Sequence, residues 1–132
     1  MEVEKIFKNL TEEGYNFFTG VPDSAIKPFQ NDIIDSDFDH IIAANEGQAI
    51  GIAVGAELAG KKSCVYLQNS GLGNIINPLA SLCIPHNIKP LLVIGHRHTL
   101  PQHKIMGETD KKILDLIGYD KYIIIQGENN VK

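Results

Sequence analysis

Four groups of residues in this chain carry side chains suited to chemistry: Asp23-Ser24, Glu46, the string Gln68-Asn69-Ser70-Gly71-Leu72-Gly73-Asn74, and His96-Arg97-His98 with His103 shortly after. A carboxylate beside a glycine-bearing turn can share a proton with a ligand, because glycine admits a close approach and the turn supplies hydrogen-bond donors. Histidines near neutrality can act as acids or bases, and Arg97 can bind an anion. Each group also has a plainer reading. Glu46 next to Asn45 suits the positive end of a helix that Asn45 caps, Asp23 suits a turn or a cap, and Arg97 can simply pair with a surface acid. Ser70 lies outside a G-x-S-x-G elbow, which argues against a serine hydrolase. His-Arg-His is no metal signature, and with no carboxylate inside it no metal site is expected in this chain.

The elements around these residues alternate. Residues 2–13 space Val3, Ile6, Phe7 and Leu10 as an amphipathic helix that ends at Gly14. A strand is expected over Tyr15–Phe18, then a helix to about Asn31 capped by Asp23 or Ser24, with Pro28 tolerable in its first turn. Asp32–Asp39 reads as a solvated acidic connection. A second strand, Ile41–Ala44, leads into a helix from Asn45 to Gly60 that is rich in glycine and alanine, a thin body that makes sense only if it packs tightly. Strand Cys64–Leu67, helix Leu72–Ile84, strand Pro90–Ile94, a polar loop Gly95–His103, helix Asp110–Ile117 and strand Tyr122–Ile125 complete the order. This is one doubly wound α/β domain, residues 1–132, with a mainly parallel sheet of about five or six strands and helices on both faces. Ligands of such sheets gather beyond the carboxyl ends of the strands, and that rule brings all four polar groups to one rim. There Glu46 should be partly buried.

Composition narrows the function. With 132 residues, 43% hydrophobic, the chain can bury a core. Its net charge of −4 and scattered lysines give no basic face for nucleic acid or a membrane surface, and no signal peptide or spanning segment is expected. Cys64 and Cys83 sit in apolar runs and read as buried free thiols of a cytoplasmic protein. No G-x-G-x-x-G follows the first strand and no P-loop lysine is present, which argues against nucleotide binding.

Gly20-Val21-Pro22-Asp23-Ser24, Asn45-Glu46-Gly47 with Ala49, Gln68–Asn74 with Asn77-Pro78-Leu79, and Pro101-Gln102-His103 with Met106-Gly107 resemble, in this order, the pyrimidine-binding domain of thiamine-diphosphate-dependent decarboxylases. The likeness runs over nearly the whole chain and is greatest to phosphonopyruvate decarboxylases and the alpha subunits of sulfopyruvate decarboxylases. It implies that Glu46 is the glutamate that hydrogen-bonds the cofactor's pyrimidine ring. Asp23 and His103 would join it in catalysis. Gln68, Asn69, Ser70, Gly71, Gly73 and Asn74 would line the cofactor pocket, and Ser24, His96 and Arg97 would meet a small anionic 2-keto acid. The expected substrate is 3-phosphonopyruvate, with 3-sulfopyruvate as the alternative. A non-catalytic binding or assembly module is a second reading.

The family's diphosphate-binding signature, Gly-Asp-Gly followed by Asn-Asn, is missing, and Gly127-Glu128-Asn129-Asn130 is a coincidence in the wrong place. The resemblance therefore implies a separate diphosphate-binding domain or beta subunit that carries Mg²⁺, and a homo- or hetero-oligomer. It also implies a chain shorter than the usual pyrimidine half, whose last helix and strand have no counterpart here.

Overall fold

The computed structural model describes residues 3–127, so the Asn129-Asn130 pair and the chain end lie outside the described residues. Helix α1 (Val3–Glu12), strand β1 (Phe17–Gly20), helix α2 (Lys27–Ile34), strand β2 (Asp39–Ile42), helix α3 (Glu46–Leu58) and strand β3 (Ser63–Gln68) form the first half. A helical run over 76–86 (α4), strand β4 (Leu91–His96), helix α5 (Lys104–Ile117) and strand β5 (Tyr122–Gln126) follow. The five strands are parallel in the order β2-β1-β3-β4-β5. Because the chain steps from β1 to β2 on one side and then to β3 and β4 on the other, the loops after β1 and β3 diverge and open a crevice between them.

Alternation along the buried strands explains the two layers. Cys64 and Tyr66 of β3, with Leu91 and Val93 of β4, pack against Ile6, Leu10, Ile26, Phe29 and Ile33 of α1, α2 and the turn before α2. Val65, Leu67, Leu92 and Ile94 point the other way, onto Ala49, Ile50, Ala53, Val54, Leu79, Cys83 and Leu114 of α3, α4 and α5. Sheet residues buried on both faces read as continuous apolar runs. Burial pushes the Cys83 thiol up to about 11 and that of Cys64 higher still, so neither presents a thiolate at neutral pH.

Several boundaries differ from the sequence reading. Strand β1 starts at Phe17 because Gly14, at φ 98°, closes α1 and spends the Tyr15 N–H on the Leu10 carbonyl at 3.0 Å. Neither Asp23 nor Ser24 caps α2 through its side chain; a 3-10 turn over Ser24–Ile26 opens that helix, and Pro28 falls in its first turn. Helix α2 runs on to Ile34 and β2 begins at Asp39, so the acidic connection is shorter than expected. Strand β2 ends at Ile42 because the Ala44 N–H is taken by Gln48 Oε1 at 2.6 Å, while Asn45 Oδ1 accepts the Gln48 N–H at 2.9 Å. That reciprocal pair fixes the start of α3.

After β3 the chain makes a 3-10 turn over Asn69–Asn74, and α4 contains a wider π-type segment, Leu79–Cys83, before Pro85. Pro85 has no N–H to give the preceding turn, and the widened segment spares that bond. Helix α5 starts six residues earlier than the expected Asp110. Gly107 lies inside this helix as a contact point, since a Cβ there would stand 2.3 Å from the His98 Cβ.

Candidate active site

The rim at the carboxyl ends of the strands holds all four groups, arranged as distinct clusters. Glu46 is half-buried at the first position of α3. Its Oε1 accepts a hydrogen bond from Asn74 Nδ2 at 2.8 Å. Its carboxyl group lies directly over Gly71, where a Cβ would come within 2.5 to 2.7 Å of Cγ, Cδ and Oε2. Only a glycine leaves room for this approach, so the turn after β3 and the start of α3 are cut to fit one another. Gly71→Ala is accordingly expected to push the carboxylate off its seat. Cofactor-dependent activity should fall at least tenfold, with a modest loss of stability typical of overpacking, about 1–3 kcal/mol; paired activity and thermal-unfolding measurements check this.

Asp23 forms the second cluster. Its backbone is bracketed by buried Gln30, whose Oε1 accepts the Asp23 N–H at 3.1 Å and whose Nε2 donates to the Asp23 carbonyl at 2.6 Å. Arg97 Nη2 reaches Asp23 Oδ1 at 3.3 Å and Ser24 Oγ at 2.5 Å. The other Asp23 oxygen and Arg97 Nε are buried without a partner, and the oxygen lies 2.9 Å from the place a Cβ on Gly95 would occupy. A buried carboxylate oxygen left unpaired is costly, which makes Asp23 a candidate for a role beyond stability.

A third cluster joins β3 to α5. His96 Nδ1 meets Asp110 Oδ2 at 2.5 Å, and fully buried Asn69 binds both Asp110 and the backbone of Arg97. The fourth is a single bond, from Gln68 Nε2 to His103 Nδ1 at 3.3 Å. This bond puts the ring proton of neutral His103 on Nε2. Ser70, Gly73 and Asn74 stand exposed on the turn, and so does Ser24.

Asp23, Ser24 and Arg97 are thus brought into contact, as are Glu46, Gly71 and Asn74. His96 is committed to Asp110, on the side of the sheet facing α5. Two site residues escaped the sequence reading, Gln30 and Asp110. Both occupy apolar stripes, Gln30 among Ile26, Phe29 and Ile33 and Asp110 among Ile113, Leu114 and Ile117, and a polar residue at such a position is the signal that could have found them. Among the described residues no three His, Cys, Asp or Glu side chains are grouped to hold a metal ion. No helix there is long and apolar enough to cross a membrane.

Residues 3–117 match the family described as thiamine pyrophosphate enzyme, N-terminal TPP binding domain. The chain belongs to this family. Among its curated relatives is the sulfopyruvate decarboxylase subunit alpha of Methanococcus maripaludis, 38% identical over 120 residues, which cover 86% of this chain and 71% of that one. The corresponding subunit of Methanocaldococcus jannaschii is 38% identical, over 89% of this chain and 72% of the relative. The phosphonopyruvate decarboxylase of Streptomyces viridochromogenes is also 38% identical, over 81% of this chain but only 28% of its own length. In structure, the chain resembles a Mycobacterium smegmatis protein described as a putative thiamin diphosphate-dependent enzyme, with a TM-score of 0.62 and 23% identity over 80% of this chain and 20% of that one. At that identity the likeness shows the fold. The α/β architecture of a TPP-binding domain is therefore shared, and the relatives that carry names are decarboxylases.

The residues present fit the cofactor of this family. Glu46 offers a half-buried carboxylate at the rim, seated on Gly71 of the Asn69–Asn74 turn and bonded by the Asn74 amide, which suits a proton-sharing contact with a ring nitrogen.

Proposed function

We propose that this chain is the pyrimidine-binding part of a thiamine-diphosphate-dependent decarboxylase that converts 3-phosphonopyruvate to phosphonoacetaldehyde and CO₂. The observation that carries this reading is the Glu46 carboxylate seated on Gly71 and bonded by Asn74. Equal identity to a sulfopyruvate decarboxylase subunit favours 3-sulfopyruvate as the alternative substrate. Both substrates are 2-keto acids with a second anionic group.

When bound, thiamine diphosphate supplies an electron sink for the carbanion that decarboxylation leaves. The chain's own residues do the rest. Glu46 holds a proton at the pyrimidine ring, and Gln68, Asn69, Ser70, Gly71, Gly73 and Asn74 shape the surrounding wall. Asp23 moves a proton at the substrate. His103, whose Nδ1 accepts the Gln68 amide, offers its Nε2–H as a hydrogen-bond donor to the substrate. Arg97, with Ser24 and His96 beside it, receives the second anionic group, its guanidinium standing at the rim 3.3 Å from Asp23 Oδ1 and 2.5 Å from Ser24 Oγ.

Thiamine diphosphate also needs a diphosphate-binding domain or beta subunit with Mg²⁺, because a divalent ion beside phosphates takes carboxylate and carbonyl oxygens. The glycine edge of α3 supports docking of such a partner. Ala49 and Ala53 pack into the core under the sheet, whereas a Cβ on Gly51 or Gly55 would meet no neighbouring atom within 4 Å. The resulting assembly is an oligomer, and two buried free thiols suit a cytoplasmic setting.

The test is CO₂ release from 3-phosphonopyruvate and from 3-sulfopyruvate, with thiamine diphosphate and Mg²⁺, by the chain co-expressed with a diphosphate-binding partner. Release from one substrate in clear preference supports the reading and names the substrate. No release from either by a well-formed complex would favour a non-catalytic assembly module.

A further inference from the structure

Asp110 has a complete set of partners, although it is a charged residue only 4% exposed on the inner face of α5. Its Oδ1 accepts the Lys111 N–H at 2.6 Å, and its Oδ2 accepts from Asn69 Nδ2 at 3.2 Å and meets His96 Nδ1 at 2.5 Å. A carboxylate has no hydrogen to give, so His96 must carry a proton on Nδ1. Asn69 Nδ2 also stands 3.4 Å from His96 Nδ1, but with a proton on Nδ1 that contact is no hydrogen bond. One Asn69 hydrogen therefore goes to Asp110 and the other to the Arg97 carbonyl at 2.9 Å, while Asn69 Oδ1 accepts the Arg97 N–H at 3.3 Å. Both polar groups of the Arg97 peptide are thus gripped by one side chain from the turn after β3. That side chain is itself held by Asp110, which also holds the residue preceding Arg97.

We propose that Asp110 is a positioning residue of the rim: by tying Asn69 and His96 together it fixes the Arg97 peptide, and with it the direction in which the guanidinium meets Asp23 and Ser24. Three elements far apart in sequence are locked here by a single buried charge. The geometry explains why a charge is retained in an otherwise apolar helix face, since removing one partner of such a network strands the others. Asparagine has nearly the same shape but only one acceptor oxygen. In Asp110→Asn, one N–H of the new amide must face either the Lys111 N–H or the Asn69 and His96 donors, so the network opens while the volume is kept.

The test uses the ¹⁵N-labelled chain assembled with its diphosphate-binding partner. In the wild type the His96 ring should show Nδ1–H. In Asp110→Asn that signal should be lost and the Arg97 Nε–H resonance should shift. If Asp110→Asn does not fold, Asn69→Ser, which removes the grip on Arg97 from the other side, should produce the same Arg97 shift. Unchanged His96 and Arg97 signals in a folded Asp110→Asn protein would overturn the proposal, whatever the enzyme's activity. One arm rests on the substrate reading of Arg97: KM for the anionic keto acid should rise about tenfold with kcat little changed. Shifted resonances with an unmoved KM would uphold the clamp and overturn the role given to Arg97.

Discussion

Glu46→Gln is expected to lower turnover of the assembled enzyme by about 10²-fold or more, the size of effect that a positioned acid or base contributes. The substitution should leave the fold intact. A glutamine side chain has the same outline as the glutamate, so it would still fit over Gly71, and its Oε1 can accept the Asn74 amide as the carboxylate does at 2.8 Å. What is lost is the ability to hold and release a proton. Stability should therefore stay within about 0.5 kcal/mol of the wild type, as for substitutions that neither open a cavity nor strand a partner. Steady-state kinetics and thermal unfolding measure the two quantities side by side. Near-wild-type turnover in Glu46→Gln would remove the central residue of the proposed site.

Asp23→Asn carries the second large effect. Gln30 grips the Asp23 peptide, so the backbone should not move, and Arg97 can still find an oxygen on the amide. The buried oxygen beside Gly95 has no partner to lose. If Asp23 moves a proton at the substrate, kcat should fall by about 10²–10⁴-fold, whereas the dissociation constant of thiamine diphosphate should change by less than about threefold. Equal losses in kcat and in cofactor binding would instead describe Asp23 as a scaffold for the loop after β1.

The order of elements and the rim were legible because local chemistry and global fold agree in this chain. Strands buried on both faces announce themselves as apolar runs, as at Val65–Leu67 and Leu91–Ile94, and Asn45 marks the start of α3 with its own side chain. Placing Glu46 and the Gln68–Asn74 turn on one rim needed only the rule for parallel sheets. Their fit, with the carboxylate against Gly71, depends on the angle between α3 and the turn and has no local signature.

Boundaries slipped where a side chain or a cap from another element took a backbone group. Gln48 withdraws the Ala44 N–H from the sheet, and Gly14 turns Tyr15 away before β1 begins. The helix start slipped by six residues at α5, where Gly107 packs closely on His98. The partners of Asp110 lie 14 and 41 residues away, and only the folded sheet brings His96 and Asn69 together there. A charge within a helix's apolar stripe was nonetheless visible in the sequence, and it points to such a network before any partner is known.

The most direct measurement is the rate of hydrogen–deuterium exchange at C2 of thiamine diphosphate, followed by NMR after acid quench, with this chain alone, with the diphosphate-binding partner alone and with both. Marked acceleration only in the complete assembly, abolished by Glu46→Gln, is the predicted result. Exchange equally fast with the partner alone, or unaffected by Glu46→Gln, would contradict the assignment of this chain as the half that activates the cofactor.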